Sequence, residues 1–189
     1  MIMVQSSPQR NKIHPHKFTM WVAMASIVMM FAGLTSAYVV KSNQANWETV
    51  QIPTQFWVST GVILAASLCI QMAVRAFKQK ERSRYKGLLL VTGLLGIGFL
   101  LLQWNGFSWM WNHGVHFRGS GAGQFLYIIA GLHAIHVIGG LVALFIQLIR
   151  SLSRKTISYN SVPVEILATY WHFVDFLWLY LLLFFNLIK

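Results

Sequence analysis

Five ionisable side chains stand where this sequence has few others: His133, His136, Glu165, His172 and Asp175. All five fall inside two long apolar runs near the C-terminal end. A lone charge at the centre of a membrane helix costs about 2.5–3.5 kcal/mol on insertion scales, so buried ionisable groups tend to be paired or put to use. On a helix, residues three or four apart share a face. His133 and His136 therefore point the same way, as do Glu165 and His172, two turns apart, with Asp175 one turn further on nearly the same stripe.

Three chemistries compete for this set. Histidines from two helices at one depth would allow a haem with an axial ligand on each side. His133 and His136 are too close together for two separate haems, and no carboxylate-rich metal pattern accompanies them. Buried ionisable groups also line proton or ion paths. The third reading is structural: each group is satisfied by a neighbour, and the set fixes how the helices dock. Composition alone favours the third. The one cysteine, Cys69, lies in an apolar run, where it reads as a small buried hydrophobe.

The elements that must position these residues follow from hydropathy. Of 189 residues, 56% are hydrophobic and 10% charged, against about 25% charged in a soluble domain. Lipid must solvate such a chain. A spanning helix needs roughly 20 mostly apolar residues. Five runs qualify: Phe18 to Val40, Thr54 to Phe77, Gly87 to Phe107, Gly123 to Ile149 and Pro163 to Ile188. The expected fold is all-α, one integral membrane bundle of five helices over residues 18–189, preceded by a cytoplasmic segment, 1–17. The first run has a basic lead resembling a secretion signal, but it is longer than a signal core.

The net charge of +11 does not point to nucleic acid, because the basic residues form short clusters between apolar runs. Cytoplasmic loops carry the excess of Lys and Arg. Arg10, Lys12, Lys17, Arg75, Lys78, Lys80, Arg82, Arg84, Lys86, Arg150, Arg154 and Lys155 fall on one side, and Lys41, Arg118 and Lys189 on the other. This places the N-terminus in the cytoplasm and the C-terminus outside. At 1.5 Å per residue, His133, His136, His172 and Asp175 lie roughly 14–20 Å into the bilayer, near its midplane, and Glu165 lies shallow on the cytoplasmic side. Either histidine of the fourth run is thus in reach of His172 or Asp175. Trp47, Trp57, Trp104, Trp109 and Trp111 sit at outer interfaces, as aromatic belts do. Gly93, Gly96, Gly98, Gly131, Gly139 and Gly140 are candidates for close helix approach.

These residues carry a resemblance. The run Glu165–Trp178, EILATYWHFVDFLW, closely resembles the signature of subunit III of haem–copper terminal oxidases, with Glu165, Tyr170, Trp171, His172, Phe173, Val174, Asp175 and Trp178 on motif positions. GLHAIHVIGGL resembles the family's GxHxxHVxxG, placing Gly131, His133, His136, Val137 and Gly140. Gln103 matches a recurring glutamine, and FAGLTSAY is similar to the family's FAGFFWAF at Phe31, Ala32, Gly33, Ala37 and Tyr38.

The resemblance implies a subunit without redox centres, in the plasma membrane of a bacterium. Its complex reduces oxygen to water and pumps protons. Haem and copper are expected in partner subunits I and II, not in this chain, and bound phospholipid is expected. A small subunit IV or a respiratory supercomplex would be further partners. The five polar residues would then be a helix-docking, lipid-linked set rather than a catalytic or metal site. Quinol oxidase subunit III is the alternative, and a stand-alone membrane proton or ion transporter a distant one. The sequence departs from the family twice. The common form has seven helices, and this chain matches the last five. Where the family often carries an acidic residue in the first of these five, this chain has Ile27.

Overall fold

The computed structural model describes residues 15–43, 47, 52–116, 121–153 and 161–188. Among the described residues the chain forms five helices: α1 (Pro15–Ser42), α2 (Gln55–Lys78), α3 (Arg82–Asn112), α4 (Gly121–Ser153) and α5 (Val162–Leu187). Each is long and apolar enough to cross a membrane. There is no strand among the described residues.

α2 and α5 match the expected stretches to within one residue at each end, while α1, α3 and α4 run past theirs, most clearly α3, which begins at Arg82 and ends at Asn112. The apolar run marks only the hydrocarbon depth. Backbone hydrogen bonding continues the helix into the headgroup region, because every peptide group in or near lipid needs an internal partner. Pro163 stands in the first turn of α5, where its missing N–H would have no helical acceptor anyway.

Four helices close a ring: α2 packs on α3, α3 on α4, α4 on α5 and α5 back on α2. α1 lies outside the ring against α4 and α5, and its backbone does not come close to that of α2 or α3 among the described residues. Polar contacts show which ends lie together. Lys17 at the start of α1, Glu165 at the start of α5 and Lys78 at the end of α2 meet in ion pairs. Gln147 near the end of α4 donates to the Tyr85 hydroxyl near the start of α3. One end of the bundle therefore carries the starts of α1, α3 and α5 and the ends of α2 and α4. Of the charges used to set sidedness, Arg10, Lys12, Arg118, Arg154, Lys155 and Lys189 lie outside the described residues.

Close packing uses some of the expected glycines. A Cβ on Gly96 would stand 2.9 Å from the Trp171 ring and 3.0 Å from Leu141, so α3 can approach α5's indole only as glycine. Gly106, not singled out from sequence, matters as much: its Cβ would meet the Phe56 ring at 2.5 Å. Gly98 and Gly131 depart from expectation, since neither has a side-chain or foreign backbone neighbour within 4 Å of a built Cβ. Both face outward, where a small residue seats no helix of this chain.

Candidate functional site

The five ionisable residues do not form one cluster. They occupy three places, because α5 turns successive residues toward different neighbours.

At the end where α5 begins, Glu165 holds two lysines from two other helices. Its carboxylate lies 2.8 Å from Lys17 Nζ of α1 and 3.0 Å from Lys78 Nζ of α2. The backbones of α1 and α2 stay apart, and Glu165 bridges the two helices through their lysines. Thr169, one turn on, returns its hydroxyl to the Glu165 carbonyl.

Two turns along, His172 faces α2. Its Nδ1 is 2.6 Å from Ser67 Oγ and its Nε2 3.3 Å from Gln71 Oε1. Ser67 and Gln71 are four apart on α2 and share one face. Asp175 is 3% exposed. It is walled by Ile63, Val137, Gly140, Tyr170, Trp171 and Val174. Neither carboxyl oxygen has a hydrogen-bond partner among the described residues.

His133 sits in the middle of the ring, 2% exposed. Its imidazole stacks on Trp178 at 5.4 Å between centroids and meets Phe99 and Phe31 edge-on, each at 6.4 Å. Neither ring nitrogen has a hydrogen-bond partner. Trp178 in turn donates from Nε1 to Thr60 of α2 at 3.0 Å. His136 lies nearer the α1 side, 5.8 Å from the Phe31 ring. Its Nδ1–H donates to Leu132 O at 2.7 Å, and its backbone carbonyl accepts from Tyr170 at 3.0 Å.

Two expectations are corrected. His133 and His136 do not meet His172 or Asp175: the fourth helix presents His133 to Trp178, while His172 is turned to α2. Nor is each group satisfied by a neighbour, since His133 and Asp175 have no such bond. The cause is rotation. Depth along each helix brings the groups level, but the face each helix turns to its neighbours is set by bulky rings such as Trp171 and Trp178.

The remaining motif residues have packing or polar roles. Gln103 of α3 donates to Ser59 of α2 at 2.8 Å. Trp171 fills the space at Gly96, and Tyr170 packs on Gly140. Gly131 borders an outward groove of about 520 Å3 with Trp104, Phe107, Trp111 and Tyr127. Ile27 packs with the apolar cluster of Phe31, Ile129, Leu177 and Leu181. No group of three or more His, Cys, Asp or Glu is placed to hold a metal ion among the described residues.

Sequence reasoning passed over Ser67, Gln71, Ser59 and Thr60. They are neutral, so the distribution of ionisable groups does not reveal them. A polar face at 67 and 71 inside an apolar run was the available signal. Lys17 and Lys78 are more than orienting charges, since each pairs with Glu165.

The profile of the family described as cytochrome c oxidase subunit III matches residues 13–188. The chain is 32% identical over 161 residues to the probable cytochrome c oxidase subunit 3 of Nocardia farcinica, covering 82% of this chain and 79% of that one. It is 28% identical over 184 residues to cytochrome c oxidase subunit 3 of Bacillus sp. (strain PS3), covering 93% and 88%. With the protein of that name from Rattus norvegicus it shares 32% over 127 residues, 66% of this chain and 46% of the relative. The matched stretch takes in all five helices, and by it this chain belongs to the cytochrome c oxidase subunit III family.

Proposed function

We propose that this chain is the metal-free subunit III of a proton-pumping cytochrome c oxidase in a bacterial plasma membrane, with its N-terminus in the cytoplasm. It packs against subunit I, which with subunit II carries the haem and copper, and it takes up phospholipid. Cytochrome c is the electron donor, as the names of the relatives suggest. The observation that carries this reading is the family match over nearly the whole chain. Its membrane-helix histidines support the metal-free part, because His133, His136 and His172 turn to three different sets of neighbours rather than to one point. Such a chain stabilises a neighbour by presenting packed helices, and its polar side chains hold those helices in place.

Affinity purification of the tagged chain from its own membranes tests this. It should bring down a much larger protein with a haem spectrum and oxygen consumption driven by reduced cytochrome c. The chain separated from that complex should show neither haem absorption nor stoichiometric copper. A homo-oligomer without an oxidase would favour a transporter, and activity only with quinol would favour a quinol oxidase.

A further inference from the structure

α5 buries the largest share of its apolar stretch among the five helices, yet one stripe of it stays open. Thr169 and His172 look into a cleft of about 310 Å3, with Lys17 and Trp21 of α1 on one side and Gln71 of α2 on the other. The backbones of α1 and α2 stay apart there. Phe176, one turn past His172 and on the same face, is 72% exposed.

This face is polar at a depth where lipid is not. The ion pairs of Lys17, Glu165 and Lys78 mark the end of the bundle. Gln71 stands seven residues from Lys78, and His172 seven from Glu165, which puts each about 10 Å deeper. With a hydrocarbon core about 30 Å thick, both lie at the level of acyl chains. Gln71 and Thr169 are exposed there, and Ser67 and His172 are half-exposed. The α3–α4 side is different. Every exposed residue of α3 between 87 and 101, and of α4 between 128 and 149, is apolar. Polar side chains in membrane helices face protein or an aqueous cavity rather than lipid. The α3–α4 side is therefore built for lipid, and the α1–α2–α5 side for a covering protein.

The chemistry of the face narrows what covers it. His172 Nε2 donates to Gln71 Oε1, and Nδ1 accepts from the Ser67 hydroxyl. The Gln71 amide NH2 is left to donate outward, so the cover offers it an oxygen. Glu165 is shared by two lysines, which leaves one positive charge in excess. Arg75, exposed one turn from Gln71 on α2, adds another. Water alone would leave Phe176 against it, and an acyl chain would give Gln71 no acceptor. A helix with a polar residue about one turn from an apolar one meets both needs.

We infer that the α1–α2–α5 face is the docking surface for a transmembrane helix of a partner chain. That helix rests an apolar side chain on Phe176, presents an oxygen acceptor to Gln71, and carries an acidic residue level with Lys17 and Lys78. The inference rests on the reading that this chain works beside a larger subunit, and adds which face meets it.

Photo-crosslinking in the chain's own membranes tests it. A photoreactive phenylalanine analogue takes the place of Phe176, or of Leu68, which lies three residues before Gln71 on α2 and is 68% exposed. As controls it replaces Leu94 of α3 or Ile138 of α4, both exposed. After irradiation, positions 176 and 68 should yield an adduct with one larger protein, and positions 94 and 138 adducts with lipid only. Gln71→Leu should weaken retention of that protein in detergent about tenfold, since it leaves a buried acceptor unpaired. The inference is overturned by lipid adducts alone at positions 176 and 68, by an adduct of twice the chain's own mass, or by protein adducts at positions 94 and 138 instead. Unchanged retention in Gln71→Leu also overturns it. If the unsubstituted chain brings down no larger protein, the proposed function falls together with it. If a larger protein is retained while positions 176 and 68 give no adduct, the docking face alone is wrong.

Discussion

α1 and α5 run side by side, begin at the same end and are both apolar, yet they are built for different surroundings. Of α5's most apolar stretch 50% is buried inside the bundle, against 22% of α1's. α5 reaches every other helix: Lys17 and Thr35 on α1, Thr60 and Ser67 on α2, Gly96 on α3 and His133 on α4. α1 is held at a few points, the Lys17 ion pair, Phe31, Thr35 and Tyr38, and leaves Trp21, Met29 and Val40 largely open. In lipid there is no hydrophobic drive between helices, so association rests on shape and polar contacts. The helix with rings that fit glycine hollows becomes the hub, and the helix without them becomes a strap.

The comparison can be broken by substitution, and the largest effect should come from the hub. Trp178→Ala removes a ring that packs on His133, Phe56 and Phe99 and frees the Thr60 hydroxyl. A loss of about 3–5 kcal/mol is expected in mixed-micelle unfolding. Trp21→Ala, on α1 at 64% exposure, should stay within about 0.5 kcal/mol. Equal effects would erase the distinction.

Glycine substitutions sharpen it. Gly96→Ala should destabilise by about 1–3 kcal/mol through overpacking against Trp171 and Leu141. Gly33→Ala on α1 meets nothing and should be neutral or slightly stabilising, since alanine is the better helix former by about 1 kcal/mol. Paired unfolding curves of the two variants read both signs.

Removing His172 tests the polar side of the hub. His172→Leu leaves Ser67 and Gln71 without their partner, for about 1–3 kcal/mol, and should weaken co-purification with the oxidase before any haem is lost.

Smaller effects belong to the strap. Glu165→Gln removes both lysine contacts, each about 0.2–1 kcal/mol because the lysines are well exposed. The difference from wild type should shrink at high salt. Tyr180→Phe breaks the 3.0 Å contact with Thr35 and should cost about 0.6 kcal/mol, the typical worth of such a bond between membrane helices. If Tyr180→Phe outweighed Trp178→Ala, α1 rather than α5 would be the organising helix.

Much was legible in the amino-acid order. Five helices and the positions along them of His133, His136, Glu165, His172 and Asp175 follow from where apolar runs begin and end and from which residues interrupt them. Both are local properties, because lipid demands an unbroken apolar stretch with its backbone bonds satisfied within it. The tertiary structure decided which groups meet. A rotation of a helix about its axis leaves hydropathy and depth unchanged but exchanges every partner. That rotation is set by distant fits, the Trp171 ring in the hollow at Gly96 and the Phe56 ring at Gly106. Those fits place Trp178 against His133, turn His172 to Ser67 and leave Asp175 buried without a hydrogen-bond partner. Glycine and tryptophan are individually readable in a sequence, but their apposition across 75 residues of chain is a property of packing alone.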